Sequence, residues 1–417
     1  MPLSRTAACP HDEGMVNGVL RSGVPPVNAR VASLGGSPIR ELLRISTSPG
    51  MISFASGSPA NELFDVAGVA RSYAEVLAAE GPRALQYSST EGEPELRARI
   101  GAFLTAKGIW STAEDIIITS GSQQGLGLIG QVVLEEGAVV LTENPTFVSA
   151  LQAFALGGAQ FRAVETDEHG MVPEALEAAI VRHSPRAVYT IPTFQNPTGV
   201  TTPRERRNEL ADVLARHDVW LIEDDPYSEI RFRAEPHSPI ASDPRLAGKS
   251  LYLGTLSKIL APGLRIGWIR GPQEILDVLT TTKQGMSLQT STIDQLAALH
   301  WWEHNDLEEK LDPVRAEYMR RRDTMVDGLA HALPEGSTFN RPDGGMFVWA
   351  SLPEPYDANH ALSVAIADGV VYIPGSHFYV ADPVPGTLRL SFVSTSVERI
   401  EEGIERLHAV FTHDYQI

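Results

Sequence analysis

From Ile116 onward, short apolar runs alternate with stretches whose apolar residues recur at helical spacing. Strands are expected at 116–119, 138–142, 160–164, 187–191, 219–223, 250–253 and 266–270, and helices at 122–135, 146–156, 173–183, 203–217 and 273–283. This alternation predicts an α/β fold whose large domain holds a mostly parallel seven-stranded sheet between helices, because parallel strands need crossover connections. Right-handed crossovers put the C-terminal ends of the parallel strands on one edge, where ligands bind. Upstream, Ser37 to Ile45 reads as a capped helix and Ile52 to Pro59 as a strand entering a Gly/Pro turn. Residues 66–79 and 94–107 have helical spacing, and the polar loop 84–92 between them carries Tyr87. Downstream, 294–333 reads as a long helix broken near Pro313. Strands at 345–350 and 387–392 with helices at 358–367 and 396–411 predict a smaller α+β unit. The division expected is an aperiodic arm over 1–37, a small domain from 38–60 with 312–417, and a large domain over 61–311.

Composition narrows the function classes. A chain of 417 residues is long enough for two domains. Its formal charge of -18 argues against a nucleic-acid partner, whose phosphates would be repelled. Cys9 is the one cysteine, which leaves no internal disulfide and no cysteine-based metal site. With no apolar run of about 18 residues and no charged-then-apolar leader, no membrane partner is expected and the location expected is cytoplasmic.

The chemistry gathers around Ser250 to Trp268. There Thr255, Ser257 and Lys258 fall where the chain leaves a strand, and Arg265 follows a Pro262-Gly263 turn. Hydroxyls and a guanidinium suit a phosphate, and an amine beside them can condense with an aldehyde. Pyridoxal 5'-phosphate (PLP) carries both groups. Lys258 is one of only five lysines and lies between apolar segments, where solvation alone would not place it. Gly121, Ser122 and Gln123 open a helix after a strand, so their N–H groups are candidate phosphate donors, although Ser122 could simply cap that helix. Asn196 could donate to a phenolate oxygen, although Asn-Pro is also ordinary turn chemistry. Asp224 ends a strand, where a carboxylate can keep a pyridine nitrogen protonated, and Tyr227 could donate to the ring oxygen.

The pattern S-K-x-x-x-P-G-x-R-x-G at Ser257 to Gly267 resembles the cofactor-lysine segment of fold-type I aminotransferases. In order, the pieces from about Pro38 to the C-terminus resemble class I/II aminotransferases, particularly the branch acting on α-aminoadipate and kynurenine. The resemblance implies that Lys258 is the catalytic lysine joined to PLP and Asp224 the pyridinium partner. It implies Asn196 and Tyr227 at the ring oxygen, with Gly121, Ser122, Gln123, Thr255, Ser257 and Arg265 around the phosphate. Thr255 stands where serine is usual, and Phe147 holds a ring-stacking position that usually carries tyrosine. Arg389 matches the arginine gripping the substrate α-carboxylate, Gly57 and Arg40 match positions lining the substrate side chain, and Asn196 also borders the substrate. Tyr87 matches a tyrosine reaching the phosphate from the other subunit, which implies a homodimer with shared sites. The implied function is ping-pong transfer of an amino group from an L-amino acid to a 2-oxo acid, 2-oxoglutarate or pyruvate, in amino-acid biosynthesis.

Rival readings follow. Another PLP activity on the same site, a β- or γ-lyase or an oxidative or cyclising enzyme, would release ammonia or another product without an acceptor. A transcription regulator would need a DNA-binding domain ahead of Pro38, where no helix-turn-helix pattern occurs. Gly125 to Gly130 fits G-x-G-x-x-G, but it falls inside a predicted helix rather than at a strand end, which disfavours a dinucleotide. His300 to His304 fits H-x-x-E-H on an amphipathic helix, where packing is the commoner role, and no metal is expected.

Overall fold

The computed structural model describes residues 28, 31, 38–233 and 235–414. Most of the expected arm, and Ser37 as a cap, therefore lie outside the described residues. The central sheet has seven strands: β1 (Ile116–Thr119), β2 (Val139–Thr142), β3 (Gln160–Ala163), β4 (Ala187–Thr190), β5 (Trp220–Asp225), β6 (Ser250–Thr255) and β7 (Gly267–Arg270). Their order is β1-β7-β6-β5-β4-β2-β3. Strands such as Ile116–Thr119 and Ala187–Thr190 are buried at every position, which is why they read as unbroken apolar runs rather than alternating ones. The helices Ser122–Val132, Val148–Leu156, Pro173–His183, Arg204–Ala215 and Gln273–Ser287 follow the expected pattern within a few residues.

β7 alone runs against its neighbours, antiparallel to both β1 and β6. Its first residue, Gly267, pairs with Thr119 and Thr255, the last residues of those strands. The turn feeding β7 therefore lies at the same edge as the strand ends. That turn, Pro262–Leu264, delivers Arg265 in a left-handed conformation with φ 55°.

Two helical expectations need correction. The helix expected to end at 79 runs from Val66 to Ala84 across a kink at Glu80, ahead of Pro82. The long helix expected to break near Pro313 breaks earlier, between Thr292–Glu303 and Leu307–Ala332, with Pro313 inside the second piece. Asp306 starts that second helix by accepting a hydrogen bond from the Glu309 N–H at 3.0 Å. A side-chain cap thus sets the boundary, and the proline is absorbed downstream of it.

The smaller sheet is antiparallel, with strands β8 (Thr338–Phe339), β9 (Phe347–Ser351), β10 (Ile373–Pro374) and β11 (Thr387–Ser391) in the order β8-β9-β11-β10. Ala358–Ala367 and Val397–Ala409 are its helices. The N-terminal segment joins this unit: Ile52 and Ser53 pair in parallel with Val370 and Val371, and the Phe54 carbonyl accepts from Ser391 N–H at 2.7 Å. From there the chain carries Ala55 and Gly57 toward the edge of the large sheet. No helix among the described residues is long and apolar enough to cross a membrane.

Candidate active site

A cavity of about 320 Å³ opens where β5 and β6 end and β7 begins. Gly57, Ser122, Gln123, Phe147, Asn196, Asp224, Tyr227, Thr255, Ser257, Lys258, Arg265 and Arg389 line it, so residues 332 positions apart in sequence meet in one space. Gly121 adjoins it as the N-cap of Ser122–Val132. Tyr87 and Arg40 do not line it: Tyr87 is 76% exposed, and the helix Pro38–Ile45 presents Ile39 and Leu43 to the cavity while Arg40 faces out. A larger cavity of about 600 Å³, lined by Lys107, Glu229 and Trp302 among others, shares no wall with this one.

Lys258 follows the buried strand β6 and donates from Nζ to the Gly57 carbonyl at 2.9 Å. Burial, then the positive charges of Arg389 and Arg265, pull its amine down to about 8. Such an amine carries a substantial neutral fraction near neutral pH, which a nucleophile requires.

The two acids ending β5 face opposite ways, as strand alternation demands. Asp225 accepts from Lys107 Nζ at 2.8 Å and from Ser228 N–H at 3.1 Å. Burial would raise it, but Lys107, Tyr252 and Ser228 outweigh burial and hold it at about 2. Asp224 turns to the cavity. Its Oδ2 accepts from the Tyr189 hydroxyl at 3.0 Å, while its buried Oδ1 has no hydrogen-bond partner. Burial, with the Asp225 charge, pushes Asp224 up to about 7 against the Tyr189 hydrogen bond. A buried, unpartnered carboxylate oxygen calls for a cationic N–H donor.

Opposite, Arg389 is buried on β11, between the rings of Phe347 and Phe378 at 4.2 and 4.9 Å. Nη1 donates to Asn196 Oδ1 at 2.9 Å and Nη2 to the Ala55 carbonyl at 2.8 Å, and Nε is buried without a partner. Burial lowers its pKa to about 10, partly offset by Tyr227. Asn196 Nδ2 donates to the Tyr227 hydroxyl at 3.4 Å. Burial above all raises the Tyr227 phenol, which therefore keeps its proton.

The remaining wall is suited to an anion. Gly121, at φ 77°, caps the helix Ser122–Val132 with no side-chain hydrogen bond, so Ser122 is not the plain cap its sequence allowed. The first N–H groups of that helix have no intrahelical partners and carry the positive end of its dipole. Thr255 and Ser257 hydroxyls lie 2.8 Å apart, and Arg265 donates to the Ser120 carbonyl at 3.0 Å beside them. An unpartnered carboxylate oxygen, an anion cradle and a lowered lysine amine on three sides of one cavity fit the ring nitrogen, phosphate and aldehyde of PLP.

Sequence reasoning missed Tyr189, Phe347, Phe378, Ile39 and Leu43. Tyr189 pairs with Ile222 in register, which places it on the face that Asp224 shares. Alternation supplied half of that signal, but strand pairing was needed for the rest. Two of the G-x-G-x-x-G glycines serve packing: a Cβ on Gly125 would come within 3.0 Å of the Leu253 side chain and one on Gly130 within 2.9 Å of the Ala153 carbonyl. His300 donates to or accepts from Ser72 and contacts Glu75, and no cluster of three potential ligands for a metal occurs among the described residues.

The chain matches the family described as aminotransferase class I and II over residues 49–407. It is 39% identical over 384 residues to aromatic-amino-acid aminotransferase 1 of Thermococcus litoralis, covering 91% of this chain and 92% of that one. Among solved structures it superposes on the kynurenine aminotransferase of Pyrococcus horikoshii, in complex with PMP, with a TM-score of 0.88, 37% identity and coverage of 94% and 98%. The α-aminoadipate aminotransferase of Thermus thermophilus, complexed with N-(5'-phosphopyridoxyl)-L-leucine, gives a TM-score of 0.86, 36% identity and coverage of 92% and 97%. With a family match across most of its length and this fold, the chain belongs to the class I and II aminotransferases, PLP-dependent transaminases of fold type I that act on amino acids and 2-oxo acids.

Proposed function

We propose that this transaminase moves the amino group of an L-amino acid to 2-oxoglutarate or pyruvate in two half-reactions, with Lys258 as its catalytic amine. The observation that carries the assignment is the pairing, in one cavity, of a lysine amine lowered to about 8 with a buried, unpartnered Asp224 oxygen. PLP supplies an aldehyde for the incoming amine and a ring that takes up the electrons left at the α-carbon. In its neutral form, Lys258 would take the α-proton and return it one atom away as general base and acid. Asp224 would hold negative charge against the ring nitrogen. The charge there in turn stabilises the carboxylate that burial would otherwise protonate. Tyr227 and Asn196 would face the ring oxygen, Phe147 would cover a ring face, and Gly121, Ser122, Gln123, Thr255, Ser257 and Arg265 would hold the phosphate.

Arg389 has a free Nε and an apolar sandwich that fixes its plane, so it offers a fork to the α-carboxylate of the substrate. Gly57 leaves room beside that fork, since a Cβ there would sit 2.8 Å from the Phe347 ring. The helix carrying Ile39, Arg40 and Leu43 forms the wall toward the substrate side chain. Tyr87, exposed with Leu85 beside it, reaches the phosphate of a second copy in a homodimer with shared sites. A cytoplasmic place in amino-acid biosynthesis completes the proposal.

The test is a panel of amino acids offered with 2-oxoglutarate or pyruvate to the parent enzyme and to Lys258→Ala. Transfer by the parent and none by the variant is expected. Retained turnover in the variant removes the lysine assignment, and ammonia release with no acceptor present replaces transfer with a lyase reaction.

A further inference from the structure

Gln195, one residue before Asn196, is absent from the cavity wall, yet its amide spends every hydrogen-bonding position it has. Nε2 donates to the Pro145 carbonyl at 2.9 Å and to Glu143 Oε2 at 3.3 Å. Oε1 accepts from the Thr198 N–H and the Thr198 hydroxyl, both at 2.8 Å. The side chain is buried, so each of these bonds is made in a low dielectric, where losing one leaves a partner unpaired. With two donors facing acceptors and its oxygen facing two donors, the amide has one orientation only.

The three segments it touches carry the cavity. Pro145 lies two residues before Phe147, and Thr198 closes the turn that holds Asn196. Glu143 follows β2 and accepts from the Thr190 hydroxyl at 2.9 Å and from Ile191 N–H at 3.2 Å, where β4 ends. The Phe147 loop is tied from its other side, Thr146 N–H donating to the Phe378 carbonyl at 2.9 Å. Beyond the β2–β4 pairing and the Glu143 contacts that hold the strand ends together, the Gln195 amide makes the direct hydrogen bonds from the Asn196 loop to the Phe147 loop.

We propose that Gln195 is a positioning residue for the cofactor, clamping the loop of Phe147 to the loop of Asn196 so that ring face and ring edge are held at a fixed separation, with Glu143 as the anchor behind it. This rests on the reading of Phe147 and Asn196 as ring contacts. Asn196 also orients Arg389 through the 2.9 Å bond between them, so the clamp extends to the substrate carboxylate.

The test uses the holoenzyme of Gln195→Met, which keeps the volume and removes all four hydrogen bonds. The readouts are circular dichroism in the cofactor's visible band, the PLP dissociation constant and the thermal midpoint. The expected result is a folded enzyme that still takes up PLP, with the visible dichroic signal well below the parent's and the dissociation constant raised about tenfold. A purely structural residue would lower the thermal midpoint and leave the dichroic band of the loaded enzyme unchanged, and that result overturns the proposal. If Gln195→Met does not fold, Gln195→Asn keeps an amide too short to span Pro145 and Thr198 and must weaken the same band; a parent-like band overturns the proposal again. Asn196→Ala is measured beside them. A parent-like band there shows that the ring-contact reading has failed, and the clamp falls with it; a weakened band there with a normal one in both Gln195 variants shows that the clamp alone has failed.

Discussion

The lowered pKa of Lys258 comes from what surrounds it. Its amine donates to a neutral carbonyl, and the nearest charges acting on it, Arg389 and Arg265, are positive. Protonation therefore costs more here than in water, and the folded pKa falls from 10.5 to about 8. Only the neutral amine can attack an aldehyde. The rate of PLP capture by the apoenzyme is expected to climb with pH up to about 8 and level off above it; stopped-flow absorbance over pH 6 to 10.5 reads it, and a rate still climbing near 10.5 contradicts the assignment. Arg389 makes a second residue-scale prediction. Arg389→Lys keeps the charge but loses the fork, so kcat/KM for the amino donor should fall about 10- to 100-fold, the equivalent of one charge-assisted hydrogen bond, while PLP affinity stays near the parent's. At this scale the sequence was informative where a residue type is rare or chemically committed. Five lysines made Lys258 stand out, and alternation along β5 explains why Asp224 rather than Asp225 turns to the cavity. Gln195, Glu143 and Tyr189 gave no comparable signal, because an uncharged amide, a buried acid and a phenol act here only through partners distant in sequence.

Elements bring those residues together, and close backbone approach is the device. A Cβ on Gly267 would lie 2.6 Å from the Ser122 nitrogen and 2.7 Å from the Gly121 carbonyl carbon, so β7 and the start of the anion-facing helix touch through hydrogen alone. Gly267→Ala must push that helix end out of place, and PLP affinity should drop about tenfold or more, as expected when a phosphate loses one or two N–H donors. Gly127 lies in the same helix, where an added Cβ meets nothing within 4 Å. Gly127→Ala should leave PLP affinity alone and stabilise the protein by about 0.5–1 kcal/mol, since alanine loses less backbone entropy in a helix. Equal effects from the two variants would contradict the close-approach account. Strands and helices of the large sheet were legible to within a few residues, since buried parallel strands are unbroken apolar runs and the crossover helices keep their period. The reversed direction of β7 was not, because a short apolar run reads alike both ways. Proline is the louder breaker in the sequence, yet the helix breaks at 304–306, where the Asp306 cap sets the boundary, and Pro313 stays inside the second helix.

On the scale of the whole molecule, the site is built by two units and one returning strand. The large sheet supplies Lys258, Asp224 and the anion cradle, while the small sheet supplies Arg389 and Phe347, and the 52–57 segment passes between them with the Ala55 and Gly57 carbonyls. The alternation of strand and helix made the large unit legible. In the small one, two strands and both helices lie within a few residues of their expected places, and the pairing of Ile52 with Val370 is the long-range contact that ties the N-terminal segment to it. Tyr87 is the residue whose place a single chain does not explain: its backbone N–H is bound by the Gln86 side chain, and its ring stands 76% exposed. If a second copy completes the site, Tyr87→Phe will weaken PLP binding about tenfold through one lost hydrogen bond to phosphate, although the ring does not line its own chain's cavity. Unchanged PLP affinity, with a monomer by light scattering, contradicts shared sites.

The central claim is the covalent junction at the rim of the large sheet. Borohydride reduction of the PLP-loaded enzyme, followed by peptide mass spectrometry, reads it directly. A phosphopyridoxyl group on Lys258 is the predicted result; the same group on Lys107, Lys249, Lys283 or Lys310, or on no lysine, contradicts the account.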